Sequence, residues 1–162
     1  MKVSIAIERS IQVSVPVSKV RALFNDLEGT IGRFPKLRKL SKLSDNAYLW
    51  EMKAIGSSVA GIAHEVAYAA QYEVDLKNNR LSWQPLPKHG NALIEGVFKL
   101  AAHGNETRLS FSVRGDLYDV PVPFMYRLLA PPFIQGKFTR LVDIFLERTR
   151  ESLLNEGAVD GR

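Results

Sequence analysis

The chain has 162 residues, 46% of them hydrophobic and 24% charged, with a formal net charge of +5. That balance fits a single globular domain over 1–162 with a real core, and excludes a disordered or fibrous chain. The lack of cysteine excludes disulfides, thiolate catalysis and cysteine-ligated metal centres. No run approaches ~18 consecutive apolar residues and the opening MKVSIAIERSIQVSVPV lacks a signal-peptide block, so the expected location is cytoplasmic.

From Val3 the hydropathy alternates: Val3, Ile5, Ile7, Ile11, Val13 and Val15 share one face, and Ser4, Ala6, Glu8, Ser10, Gln12 and Ser14 the other. This is a half-buried strand, longer than the usual ~5 to 6 residues and therefore strongly twisted or bent. Arg9 interrupts the apolar face. With no bulge its guanidinium points inward and needs an acid, a carbonyl or a ligand; a bulge would turn it outward. After Pro16 the apolar spacing becomes helical through Val17, Val20, Leu23, Phe24 and Leu27, and proline suits a helix's first turn. Gly29 is expected to end this helix, and Thr30 to cap a second one that reaches Phe34 before Pro35.

Residues 29–44, GTIGRFPKLRKLSKLS, carry Arg33, Lys36, Arg38, Lys39 and Lys42 with no acid, which equals the whole charge excess. Such a segment either attracts an anionic partner or keeps a sheet edge solvated and unpaired. No RNA-type aromatic signature accompanies it. Nucleic acid is therefore not expected as a partner, while weak contact with an anionic surface stays open.

Short turn signals at 44–46, 77–79 and 103–106 then divide strand-length apolar runs, which implies antiparallel pairing. Strands are expected over 37–43, 47–53, 63–75, 80–85, 91–102 and 107–117. Their inward faces are Tyr48, Trp50 and Met52; His64, Val66, Tyr68, Ala70, Tyr72 and Val74; Ile94, Gly96, Phe98 and Leu100; and Leu109, Phe111 and Val113. Gly96 inside a strand marks a bend or a close backbone approach. Pro123 starts a turn that Pro131 and Pro132 interrupt before a long helix over 131–154, whose stripe is Ile134, Phe138, Leu141, Val142, Phe145 and Leu153. The residues from 155 on are expected to fray.

This order of elements resembles the START and Bet v 1-like (SRPBCC) superfamily, including bacterial polyketide cyclase/dehydrase-like proteins. The resemblance covers nearly the whole chain. It rests on VSVPVSKVRALFNDLEGTIGRFP, RLSWQPLPKHGNALIEGVFKL, TRLSFSVRG and FTRLVDIFLERTRESL. It implies an α+β helix-grip fold, with a curved seven-stranded antiparallel sheet around a long C-terminal helix and two short helices after strand 1. It also implies an apolar cavity between sheet and helix, with a small hydrophobic molecule (a lipid, isoprenoid or polyketide) as partner. Trp50, Tyr68, Tyr72, Trp83, Phe98, Phe124 and Phe138 are the candidate lining residues, and Gly136 would let the helix come close; alternatively the aromatic residues simply fill the core. The loop 54–62, residues 85–90 and residues 120–132 would form the mouth. Such a fold hosts carriers and enzymes alike, so it does not choose the chemistry.

Enzyme signatures are sparse. HEVAY at 64–68 has Tyr68 where a zinc protease motif needs its second histidine, and His89 and His103 lie elements away, so no metal site is expected. GSSVA at 56–60 lacks the closing glycine of a nucleophile elbow, and GSSVAG lacks dinucleotide-binding spacing. No cofactor is indicated. His64, inward with Tyr68 and Tyr72, is the candidate general acid or base for a cyclase or dehydratase reaction; alternatively it is an interior hydrogen-bonded residue. Arg9, if inward, would bind a ligand carboxylate or polarise a carbonyl.

Overall fold

A computed structural model describes residues 1–57 and 61–160, with side chains through residue 155. The first strand, β1 (Val3–Val13), pairs antiparallel with the last, β9 (Glu106–Leu117), in unbroken register from Val3↔Leu117 to Val13↔Thr107. Between them run β2 (Leu37–Ser44), β3 (Ala47–Met52), β6 (Ala67–Asp75), β7 (Arg80–Gly90) and β8 (Ala92–His103), giving a seven-stranded sheet in the order β1-β9-β8-β7-β6-β3-β2. A small separate hairpin, β4 (Ile55–Ser57) with β5 (Ile62–His64), is inserted after β3. Helix α3 (Ala130–Asp160) packs its apolar stripe of Ile134, Phe138, Leu141, Val142, Phe145 and Leu153 into the sheet's core, all buried. This is the expected helix-grip architecture, with every strand antiparallel to its neighbours.

Four local departures from the sequence expectation have physical causes. The passage after β1 breaks at Asp26 rather than at Gly29: α1 (Val17–Val20) runs into a 3-10 turn over Arg21–Asn25, and α2 (Leu27–Ile31) follows. Asp26 caps α2, accepting from the Gly29 amide at 3.0 Å, and its carboxylate fills the space a Cβ on Gly29 would need. Thr30 is no cap; it is buried within α2 and donates to the Leu23 carbonyl at 2.6 Å.

The strand expected over 63–75 is interrupted at Glu65 and Val66, where the Asn91 side chain donates to the Glu65 carbonyl (2.8 Å) and accepts from the Ala67 amide (2.9 Å). Side-chain amide bonds there replace ladder bonds. Pro131 and Pro132 lie within the first turn of α3 instead of interrupting it, where their missing N–H groups have no intrahelical partner to lose. Helix α3 is assigned through Asp160.

The basic segment runs from the end of α2 into β2, one of the two edge strands of the sheet. Arg33 donates to Ser152 of α3 at 2.9 Å, Arg38 faces Glu65 at 4.0 Å and Lys42 faces Asp45 at 3.9 Å. Among the described residues no helix is long and apolar enough to cross a membrane, and no group of three or more histidine, aspartate or glutamate side chains is placed to hold a metal.

Candidate functional site

The inward faces of β3, β6, β7, β8 and β9 meet α3 and the α2 region around an apolar cavity of about 50 Å³. Six of the expected lining residues are there: Trp50, Tyr68, Tyr72, Trp83, Phe98 and Phe138. Strand alternation places Trp50, Tyr68, Tyr72 and Phe98, and the helical period places Phe138. Phe34, Phe111 and Phe145 line it as well. Phe34 escapes a periodicity reading because it lies on the irregular connection between α2 and β2.

The aromatic rings form a closed circuit. Trp50 meets Phe34 (ring centroids 5.6 Å apart), Phe34 meets Phe145 (5.6 Å), Phe145 meets Phe111 (5.3 Å), Phe111 meets Trp83 (5.5 Å) and Trp83 meets Tyr72 (5.7 Å). The Trp50 indole N–H closes it by donating to the Tyr72 hydroxyl at 3.0 Å. Tyr68 stacks on Trp50 at 5.3 Å. Burial pushes the Tyr68 and Tyr72 hydroxyls well above the usual phenol range, although the Trp50 bond works the other way at Tyr72. Both stay neutral at physiological pH and neither is a phenolate base.

Trp83 is different from the other rings. It is 6% exposed, and its indole N–H is the buried side-chain polar atom left without a hydrogen-bond partner among the described residues. An unpartnered buried donor costs about 1–3 kcal/mol, so its persistence needs an explanation. Its position is fixed by Gly96, its register partner in β8: a Cβ on Gly96 would collide with the indole ring. The glycine marks a close approach, with the indole packed where a side chain would stand.

Four expected site residues are not at the cavity. Arg9 stands on the inward side of an unbulged strand, yet it is solvent-exposed, because it reaches α3 at its polar flank and pairs with Asp143 at 3.0 Å. Phe124 is 85% exposed, in a turn that projects away from the core. Gly136 lies on the exposed side of α3 with nothing close to where a Cβ would be, so it mediates no close approach.

His64 is buried, but outside the cavity wall, at the end of β5. Asn91 Nδ2 lies 3.2 Å from its Nε2, and a backbone hydrogen bond joins the ring to Tyr118. Burial holds its pKa below the ordinary 6.5, against the opposing pull of Tyr118 and Asp119. Both observations make His64 a neutral tie between β5, the β7–β8 turn and the end of β9. The signal missed in the sequence was the break at Glu65 and Val66: His64 belongs to the separate β4–β5 hairpin, so the side-chain parity of β6 does not carry over to it. The GSSVA motif falls partly on 58–60, outside the described residues.

No protein-family model matches the sequence, and no curated protein does. The backbone does match solved structures. A protein from Thermus thermophilus is 22% identical, over 94% of this chain and 98% of its own, with a TM-score of 0.66. A START superfamily protein from Mycobacterium smegmatis reaches a TM-score of 0.65 at 9% identity, over 93% of this chain and 97% of its own. An aromatase/cyclase from a Streptomyces species reaches 0.63 at 13% identity, over 93% of each chain. The likeness to these proteins is in architecture: this chain has the START/Bet v 1-like fold.

Proposed function

We propose that the protein binds a small hydrophobic molecule between sheet and helix, and that the guest carries one hydrogen-bond acceptor that meets the Trp83 indole N–H. The observation that carries this reading is that Trp83, whose buried indole N–H has no hydrogen-bond partner among the described residues, is one of the residues lining a largely apolar cavity. A carbonyl or ether oxygen there recovers the donor's desolvation cost while rings of the aromatic circuit cover the rest of the guest.

The cavity must widen to do this. At about 50 Å³ it is smaller than the ~150 Å³ apolar hole that accepts benzene, and far below the ~300–1,000 Å³ of a typical ligand pocket. Phe34 is the ring best placed to yield, since it is half-buried and lies outside any helix or strand. Displacing it costs about 1.5–3 kcal/mol of lost burial. A one-ring guest burying ~150–250 Å² regains only about 4–6 kcal/mol, which leaves at best millimolar binding. Two or three fused rings, or a prenyl chain of similar area, are needed for micromolar affinity.

A cyclase or dehydratase reaction through His64 has no geometric support, because His64 neither lines the cavity nor has a free ring nitrogen. Likewise nothing in the pairing along β2 favours an interaction module built on residues 33–42. Native mass spectrometry of the protein purified from its own host tests the carrier reading: a co-purified apolar molecule bearing a carbonyl or ether oxygen is expected, and a guest-free protein that also takes up no bicyclic aryl ketone would overturn it.

A further inference from the structure

The connection between β9 and α3 carries a feature the cavity does not use. Phe124 is 85% exposed, Met125 80%, Leu128 92% and Leu129 62%. Single exposed apolar residues need no explanation, but four large ones within six positions do. The segment that bears them is anchored. Val120 donates to the Met1 carbonyl at 3.0 Å and accepts from the terminal amine at 3.2 Å. The Tyr126 amide donates to Pro123 at 2.8 Å, and the Leu129 amide to Tyr126 at 3.0 Å. The side chains are therefore held out in water by an ordered turn.

Charge identifies what would cover them. Residues 120–142 include Arg127, Lys137 and Arg140 and no acid. Arg127 lies 5.8 Å above the Phe124 ring, and Lys137 5.3 Å above the Phe133 ring. Cationic heads thus sit directly beside apolar side chains, the arrangement that suits a boundary between acyl chains and phosphate groups.

We propose that this turn docks the protein onto an anionic lipid bilayer, with Phe124, Met125, Leu128 and Leu129 entering the acyl boundary and Arg127 and Lys137 at the level of the phosphates. A second copy of the chain is a poorer match. Self-pairing of the patch sets Arg127 and Lys137 against their own counterparts, with no acid in the segment to neutralise them, whereas an anionic bilayer satisfies both the apolar and the cationic groups. The proposal stands whether or not the cavity holds a guest.

The test is co-sedimentation of the whole chain with vesicles of phosphatidylcholine plus phosphatidylglycerol, compared with phosphatidylcholine alone. Binding is expected to the anionic vesicles and much less to the neutral ones. The double variant Phe124→Ser with Leu128→Ser should lose at least about tenfold in partitioning, and Arg127→Glu about fivefold or more, with melting temperatures unchanged because these residues are exposed. As an independent reading, Phe124→Trp should gain a blue-shifted emission component on adding anionic vesicles. No vesicle binding, anionic binding that the serine variant retains in full, no blue shift from the Phe124→Trp variant, or a solution dimer that the serine variant dissociates without any vesicle binding would each overturn the proposal.

Discussion

Gly96→Ala probes the join between fold and site. The added methyl falls where the Trp83 ring lies, and neither backbone can retreat, since Gly96 pairs with Trp83 on one side and with Val113 of β9 on the other. Overpacking of this kind costs about 1–3 kcal/mol. In a domain of this size each kcal/mol moves the midpoint by about 2–4 °C, so a fall of roughly 2–12 °C is expected in thermal unfolding. Trp83 is one of the residues lining the cavity, so affinity for an aryl ketone should fall too. The decisive assay is a double-mutant cycle with Trp83→Leu, which takes away the ring. In that background Gly96→Ala should be neutral, or stabilising by about 0.4–1 kcal/mol through the unfolded chain. An equal cost in both backgrounds, or a wild-type background that gains stability, would refute the assignment of Gly96 as the seat of the indole.

Other substitutions should behave differently. Trp83→Phe should leave affinity for 2-ethylnaphthalene nearly unchanged while erasing any preference for 2-acetonaphthone, measured by competitive titration, because it deletes the donor and keeps a ring. Arg9→Ala should cost no more than about 1 kcal/mol in urea unfolding and leave guest binding untouched, since its partner Asp143 is exposed with it. Asp26→Ala should cost about 0.5–2 kcal/mol by uncapping α2. Because the folded pKa of His64 lies below 6.5, the unfolded chain binds the extra proton between those two values. Stability should therefore fall as pH drops below about 6.5, level off beneath the folded pKa, and lose that slope in His64→Gln. Tyr68 and Tyr72 act at the other end. Their raised pKa values favour the neutral phenols in the fold, so the unfolded chain loses its protons first and stability falls as pH climbs above about 10.

Much of this is legible in the residues, and for a definite reason. Side-chain parity along a strand is a local property, so the inward rows through Trp50, Tyr68, Tyr72, Phe98 and Phe111 can be read from alternation, and the stripe of α3 from its helical period. What parity cannot supply is position along the sheet axis. Arg9 has the inward parity of its neighbours yet reaches solvent beside α3, and His64 falls on the separate β4–β5 hairpin, beyond the break at Glu65 and Val66 where the parity of β6 ends. Phe124 and Gly136 escape a sequence reading for a related reason: an apolar residue in a proline-rich connection, or a glycine in a helix, has no neighbour pattern that says what it faces. Phe34 is hidden in the same way, on irregular chain between two elements. The break at Asp26 is encoded, but by a side-chain cap competing with the glycine signal three residues later.

Both tryptophans of the chain, Trp50 and Trp83, line the cavity, so their fluorescence reports its contents directly. The most direct measurement is a titration with 2-acetonaphthone, run on the wild type and on Val142→Phe, in which a larger side chain fills the space. The account predicts saturable quenching at micromolar concentration in the wild type and its loss in the filled variant. A flat wild-type titration, or the same curve from both proteins, would contradict a cavity that opens to take an apolar guest.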